Sequence, residues 1–235
     1  MNTHIVARNQ FPQVAVVALA VVTIIGFART YYLRVWFDLP PLARAAHLHG
    51  ILATLWLALH FTQARLIAMH KVAVHKRLGI FTACVGFLLA AQALALGIEG
   101  VAAGHAPPGR DPLEFLSVPI GTTTMFSLFL VSALAMRRKR EWHKRLMLLA
   151  TTALLLPAAG RLELILVPLG LPRFVLGFWL TFAFVAWAWV NDWRKLQRIH
   201  PAYIYGGIAL LISLPLRRWI GFTDAWRPIA QWLIG

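Results

Sequence analysis

Long apolar runs alternate with short polar and basic turns along nearly the whole chain. A helix needs about 20 predominantly apolar residues to cross the hydrocarbon core of a bilayer, and about seven segments meet this length. They are residues 14–34, 48–68, 78–98, 114–136, 146–168, 174–192 and 202–220. The Pro40-Pro41 pair and the Leu169-Gly170-Leu171-Pro172 stretch mark breaks, because Gly and Pro continue a helix poorly. The pattern predicts an all-α membrane protein with seven transmembrane helices in one domain, residues 1–235, whose first run is retained rather than cleaved.

One tetrapeptide occurs twice, each time in a basic turn between two apolar runs. The copies are His75-Lys76-Arg77-Leu78 and His143-Lys144-Arg145-Leu146. Because each copy follows one run and opens the next, spans two to five are predicted to form a four-helix core of two similar hairpins. The third and fifth spans then run parallel, which places His75 and His143 at the same depth.

The composition supports a membrane protein and not a nucleic-acid-binding one. The chain is 60% hydrophobic and only 13% charged, with a net charge of +15, whereas soluble domains carry about 25% charged residues. The basic residues lie mainly in the turns, where they set topology and contact anionic headgroups of the lipid bilayer. Their bias predicts that the N-terminus and both His-Lys-Arg-Leu turns face the cytoplasm and that the C-terminus lies outside.

His75 and His143 are the first candidates for chemistry. Neutral imidazole is the commonest metal ligand and binds haem iron axially. Two histidines on facing helices of a bundle hold a cofactor between spans, so we predict that this pair binds haem iron. The alternative is that each histidine is a polar anchor at the membrane interface.

The second predicted span carries His49 and His60. They are eleven residues apart, close to three helical turns, so they share a face with Gln63. His60 lies about 16 Å deeper than His49, and an ionisable side chain at that depth is a functional hypothesis by default. The alternative is a buried neutral histidine bonded to a neighbouring helix.

A third polar group is predicted at the outer face. His47, His49 and Glu163 offer two imidazoles and a carboxylate, which suit a transition metal. Arg161 is predicted to clamp an anionic group, such as a haem propionate or a lipid phosphate. The alternative is a simple ion pair of Arg161 with Glu163 or Asp38.

The sequence lacks the motifs of several enzyme classes. It contains no phosphate-binding loop, no serine-nucleophile elbow, no HExxH motif and no pair of cysteines, since Cys84 is alone. Kinase, hydrolase and zinc-protease activities therefore have no support.

Nearly the whole chain resembles a family of uncharacterised bacterial seven-span membrane proteins. The matching stretches are Phe27-Ala28-Arg29-Thr30-Tyr31-Tyr32-Leu33, His47-Leu48-His49-Gly50, His75-Lys76-Arg77-Leu78-Gly79, His143-Lys144-Arg145-Leu146-Met147-Leu148-Leu149-Ala150-Thr151 and His200-Pro201-Ala202. This resemblance implies a multi-pass protein of the bacterial inner membrane.

Spans two to five also resemble the four-helix core of ascorbate-reducible transmembrane di-haem cytochromes b and of haem A synthase. The resemblance implies that His75 and His143 match one ligand pair, and that His49 or His47 matches the first member of the other. The expected partner is missing, because residues 117–127 contain no histidine. A second haem would need His105 or a ligand other than histidine, so one haem b is expected.

The leading hypothesis is a haem b-binding membrane electron-transfer protein that exchanges electrons with quinone or serves a respiratory complex. In it, His60 and Gln63 line a quinone or proton path, and Arg161 holds a propionate. One alternative is a non-catalytic membrane subunit or assembly factor. The other is a metal-dependent membrane enzyme that acts on a lipid-like substrate at an outward-facing pocket of His47, His49 and Glu163.

Overall fold

In the computed structural model, which describes residues 10–167, 170 and 175–235, the described residues form nine α-helices and no β-strand. The helices are α1 (Phe11–Phe27), α2 (Arg44–Ala68), α3 (Val72–Ala102), α4 (Pro112–Ala135), α5 (Arg140–Ala153), α6 (Leu155–Leu166), α7 (Leu176–Leu196), α8 (Pro201–Gly221) and α9 (Trp226–Ile234). A π-helical turn, Ala28–Tyr32, and a 3-10 turn, Arg34–Phe37, follow α1. The all-α prediction is therefore confirmed. The predicted break at Leu169-Gly170-Leu171-Pro172 lies outside the described residues except for Gly170, as do the adjoining ends of the fifth and sixth predicted spans.

Five segments of the described chain are long and apolar enough to cross a membrane. They are Phe11–Tyr32, Arg44–Ala68, Val72–Ala102, Pro112–Ala135 and Arg140–Leu166, of which the last comprises α5 and α6. Helices α7 and α8 are 21 residues each but are less apolar, because α7 carries Asn191 and Asp192 and α8 carries Arg217 and Arg218. Five such segments indicate a multi-pass membrane protein.

The main hydrophobic core draws buried side chains from every helix between α1 and α8. Leu19 of α1, Trp56 of α2 and Leu89 of α3 belong to it, together with Leu149 of α5 and Leu210 of α8. The core thus extends beyond the four helices predicted to form it. A second cluster joins α3 and α4 to α9, a short helix that the apolar pattern did not predict.

Small residues let the helices approach closely where α8 enters the bundle. A Cβ atom at Gly206 would lie 2.5 Å from a methyl carbon of Leu149, and one at Gly207 would lie 2.8 Å from Val185. The Gly206-Gly207 pair therefore packs α8 against both α5 and α7, as small residues do at membrane helix interfaces.

The two His-Lys-Arg-Leu copies occupy the same position in their helices. Lys71 is the N-cap of α3 and Lys139 is the N-cap of α5, so His75 and His143 are each the fourth residue of their helix. Both helices begin at one end of the bundle, which we call the histidine end. The fifth span starts at Arg140 and not at 146 as predicted, since its helix includes the basic segment.

The fifth predicted span is two helices and not one. Helix α5 ends at Ala153, and α6 begins at Leu155. Pro157 has no N–H to donate to the carbonyl oxygen of Ala153, and its ring crowds that carbonyl. The break lies at the position that this missing hydrogen bond predicts.

Candidate functional site

The imidazoles of His75 and His143 lie next to each other at the histidine end. Their ring centroids are 6.3 Å apart and their planes are nearly perpendicular, at 80°. Each side chain is half-buried. The two copies of the tetrapeptide thus bring their histidines together, although these residues belong to different hairpins.

His143 has a defined tautomer. Its Nδ1 lies 2.8 Å from the carbonyl oxygen of Ala133 in α4. A carbonyl oxygen only accepts hydrogen bonds, so Nδ1 carries the proton and Nε2 retains its lone pair. Histidines that bind metals are held in this way, with the other ring nitrogen donating to a carbonyl or carboxylate.

His75 is held by the amide of Gln63 on α2. With its NH2 group toward the imidazole, this amide donates to His75 Nδ1 at 2.6 Å, while its oxygen accepts from the Thr82 hydroxyl at 2.9 Å. The proton of His75 is then on Nε2. In the opposite orientation, the Gln63 amide nitrogen donates to Thr82 Oγ1. The amide oxygen then faces His75 Nδ1, which must carry the proton to donate to it. The amide orientation therefore decides which nitrogen of His75 has a lone pair to offer.

His60 extends the polar cluster into the bundle. It is buried, and its Nδ1 is 2.6 Å from Thr151 Oγ1. The Thr151 hydroxyl donates to the Met147 carbonyl at 3.3 Å and accepts from Trp56 Nε1 at 3.2 Å. The direction of the hydrogen bond between His60 Nδ1 and the Thr151 hydroxyl therefore depends on the tautomer of His60.

The site is a pair of facing imidazoles with a third one deeper in the bundle. Within the described ranges, no group of three or more His, Cys, Asp or Glu side chains is close enough to hold a metal ion. Structural and catalytic zinc sites use three or four protein ligands. The His75–His143 pair offers two imidazoles, fewer ligands than such a zinc site uses.

An ion pair that the sequence did not reveal lies next to the second tetrapeptide copy. Arg145 is only 3% exposed, and it donates to both oxygens of Asp192 on α7 at 2.8 and 2.7 Å. It also donates to Glu141 at 2.5 Å and lies 5.3 Å from the centre of the Tyr203 ring. The backbone N–H of His200 donates to Asp192 as well, at 3.1 Å. Arg145, predicted to be one of the topology-setting charges of a turn, is therefore a buried link between α5, α7 and the start of α8.

The outer metal site predicted from His47, His49 and Glu163 does not form. Glu163 is buried and accepts from the backbone N–H groups of Leu176 and Gly177, at 2.6 and 3.4 Å. Its carboxylate therefore caps the first turn of α7, where the N–H groups need partners.

The other predicted outer residues also have separate surroundings. His47 is exposed, and its carbonyl oxygen accepts from the Tyr31 hydroxyl at 3.3 Å. His49 is half-buried, and its Nδ1 has no partner among the described residues. Asp38 and His105 are exposed in the loops after α1 and α3. They lie at the end opposite His75, so His105 cannot complete a second ligand pair with the histidine end.

Arg161 is too far from His143 to hold a propionate of the same haem. The two residues are 18 positions apart along α5 and α6, a rise of about 27 Å. Arg161 lies near the far end of α6, at what we call the arginine end. It has no carboxylate within ion-pair distance in the described part of the chain, so neither of the predicted ion pairs forms. His49 lies at this end too, about 16 Å from His60.

Searches against known proteins give no match to a family model, a curated protein or a solved structure. The resemblance to the cytochrome b core stays a prediction, and the arguments that follow rest on the geometry of the chain itself.

Proposed function

We propose that this chain is an integral membrane electron-transfer protein that binds one haem b through His75 and His143. The single observation that carries the proposal is the 6.3 Å between their ring centroids. Two imidazoles that bind one metal from opposite sides have centroids roughly 6 Å apart, since each metal–nitrogen bond is about 2 Å and a ring nitrogen is roughly 1 Å from its centroid.

The hydrogen bond of His143 is compatible with this ligation, whereas His75 would need the Gln63 amide to turn. His143 already presents Nε2 with a lone pair, because Nδ1 donates to Ala133. His75 presents the same atom once the Gln63 amide faces it with its oxygen. In that orientation the amide nitrogen donates to Thr82 at 2.9 Å, but the amide oxygen also faces the His75 carbonyl oxygen, so ligation would give up the hydrogen bonds of the opposite orientation. Haem bound there would supply one-electron transfer between its ferrous and ferric states.

His60 and Gln63 would form the polar side of the site toward the membrane interior. A neutral His60 has one ring nitrogen that would accept a proton, and Gln63 contacts both His75 and Thr82. A quinone takes up protons together with electrons, so this side suits the exchange of electrons with quinone. A respiratory complex is the other partner class that fits an electron carrier in a membrane.

Seven spans and their orientation belong to the same proposal. Helices α7 and α8 have 21 residues each, a length of about 31 Å that crosses the hydrocarbon core. The basic turns of the histidine end would face the cytoplasm of a bacterial cell. With seven spans, the N-terminus would be cytoplasmic and the C-terminus outside the inner membrane.

An absorption spectrum tests the haem proposal directly. Protein purified in detergent from haem-supplemented cells should show the Soret band of a low-spin haem. His75→Ala and His143→Ala should each abolish it, because one remaining imidazole does not hold the iron on both sides. His70→Asn is the matched control: His70 is exposed in the same turn with a φ of +58°, which asparagine tolerates. Colourless wild-type protein, or a band that survives both substitutions, would refute the ligand assignment.

A further inference from the structure

A cavity of about 250 Å³ lies at the arginine end, between the π-helical turn after α1 and helix α6. Its charged and polar lining comes from Arg29, Thr30 and Arg161, and its apolar lining includes Leu39, Leu164 and Ile165. None of these residues belongs to the histidine site.

The two arginines that line this cavity have no negative partner within the described residues. The Arg161 guanidinium lies 4.1 Å from the centre of the Phe27 ring, and that of Arg29 lies 5.6 Å from the centre of the Phe37 ring. Arg161 donates from Nε to the Thr30 hydroxyl at 3.2 Å and from Nη1 to the Pro157 carbonyl at 3.1 Å. Arg29 makes no side-chain hydrogen bond to the described chain. Several N–H donors and two positive charges therefore remain for a ligand.

Two other arginines of the molecule make several hydrogen bonds to the chain. Arg34, a few residues further on, donates to the carbonyl oxygens of Thr30 and Pro40. Arg145 has Asp192 and Glu141. The cavity thus brings together two guanidinium groups that have no described carboxylate partner, which favours an anionic ligand between them.

The backbone opens the space that these side chains line. Helix α1 touches α6 at Gly26, where a Cβ atom would lie 2.5 Å from the Ala158 carbonyl oxygen. The chain then widens into the π-helical turn Ala28–Tyr32, which carries Arg29 and Thr30. Single π-turns inside helices are frequent at functional sites.

The apolar lining connects the cavity to the bilayer. Leu164 is 52% exposed and Ile165 is 44% exposed, although both follow a buried stretch of α6. A ligand pocket for a whole small molecule is typically about 300–1,000 Å³, so this cavity is large enough for a headgroup but not for acyl chains. The acyl chains would lie outside, along the two exposed side chains.

We propose that the cavity binds the phosphate headgroup of an anionic phospholipid, held by Arg29 and Arg161. Guanidinium groups pair with phosphate oxygens through charge-assisted, bidentate hydrogen bonds, and basic pockets between membrane helices bind anionic headgroups. The site is independent of the haem proposal, because it lies at the opposite end of the bundle.

Lipid titration of the delipidated, detergent-purified chain tests the site. Dioleoyl phosphatidylglycerol should raise the unfolding temperature saturably, whereas dioleoyl phosphatidylcholine, with the same chains and no net charge, should not. Arg29→Gln and Arg161→Gln should each weaken the phosphatidylglycerol affinity roughly fivefold, and the double variant about thirtyfold. Arg44→Gln is the matched control, since Arg44 is exposed at the same end but does not line the cavity, and it should leave the affinity unchanged.

The arms of this experiment separate the possible ligands. Equal stabilisation by both lipids would overturn the proposal, and so would a double variant that binds phosphatidylglycerol as the wild type does. Inorganic phosphate that reproduces the full, saturable shift would overturn the lipid assignment in favour of free phosphate. If Arg161→Gln fails to fold, Arg29→Gln still decides the matter, because Arg29 makes no side-chain hydrogen bond that the fold requires. Retention of affinity in Arg29→Lys would support a charge-based contact.

Discussion

The two His-Lys-Arg-Leu segments start their helices in the same register, but their third residues have opposite surroundings. Arg77 is exposed at the start of α3, whereas Arg145 is 3% exposed and paired with Asp192. The reason lies in the neighbouring helices. The most apolar 18-residue stretches of the two spans differ in burial. In the Arg140–Leu166 span 56% of these residues are buried inside the protein, against 28% in the Val72–Ala102 span. The identical sequence therefore places the histidines at the same position in their helices, whereas the neighbouring helices determine whether the arginine is exposed or buried in an ion pair.

The histidines and the arginines of the repeat therefore have different roles. The histidines meet because both helices begin at one end of the bundle and pack around α2 and α4. Arg145, in the second copy, joins two helices, because its partner Asp192 belongs to α7. Arg77, in the first copy, has no carboxylate partner among the described residues. A sequence repeat thus predicts shared geometry more safely than shared chemistry.

The largest expected difference between the two copies is in the stability lost when their arginines are replaced. Arg145→Ala should lower the free energy of unfolding by about 3–5 kcal/mol, because it leaves the buried Asp192 carboxylate without its partner. Arg77→Ala should change it by no more than about 0.5 kcal/mol, as at other exposed positions. Thermal unfolding in detergent measures both. Equal losses would show that the arginines are equivalent after all.

A double replacement shows whether the loss reflects an orphaned charge or lost packing. The variant that combines Arg145→Met with Asp192→Leu should recover most of the stability lost in Arg145→Ala, because no buried charge remains. No recovery would indicate that the ion pair itself, and not only the orphaned carboxylate, is needed to place α7.

The next largest effect is expected at the groups that hydrogen-bond His75 and His143. His75 depends on the side chain of Gln63, whereas His143 depends on a backbone carbonyl. Gln63→Leu should weaken haem binding by about 10–100-fold, the usual cost of losing a group that orients a metal ligand. Gln92→Leu is the control, because Gln92 also bonds another helix, at Ala45, but far from the pair. Haem titration followed by absorbance measures both, and an equal loss in the two variants would point to a general packing defect.

The smallest expected effect is a pH dependence at His200, which lies next to the second copy. Burial, and then the positive charge of Arg145, lowers the pKa of His200 below its usual 6.5, against the opposing effects of Asp192 and Glu141. A lowered pKa in the folded state means that the neutral form is favoured there, so this stabilisation is present above pH 6.5 and is lost as the pH falls below it. His200→Asn keeps a side-chain cap for α8 and should flatten the decline in unfolding temperature between about pH 7 and 5. A decline as steep as that of the wild type would place its origin at other groups.

The helices and the histidine pair follow from local features of the sequence. Apolar runs predict helices wherever they are long enough, and the doubled tetrapeptide indicates two parallel helices that start at one end. Even the separation of Arg161 from His143 follows from counting residues at about 1.5 Å of rise each, and that count argues against one haem contacting both residues. Arg161 and His143 belong to the same predicted span but lie at different depths in the membrane.

Other parts of the site depend on contacts between distant segments. Arg145 and Asp192 belong to different apolar runs, and nothing near either residue indicates its partner. Asp192 alone gave a usable signal, because an acidic residue near the end of an apolar run needs a cation or a hydrogen-bond donor. The sequence predicts Glu163 as a metal ligand because it does not reveal that the start of α7 packs against α6. The apolar pattern does not predict helix α9, because this helix is short and follows a polar segment.

The interruption at Leu154 has a consequence for how the two ends of the molecule relate. An unbroken rod of 27 residues would transmit any tilt or rotation at one membrane surface to the other. Two shorter rods joined at a single residue adopt their own tilts, and the α5 rod is clamped separately by the Arg145–Asp192 pair. His143 on α5 and Arg161 on α6 are thereby carried by two separate helices, so the orientation of each is set by the packing of its own shorter helix.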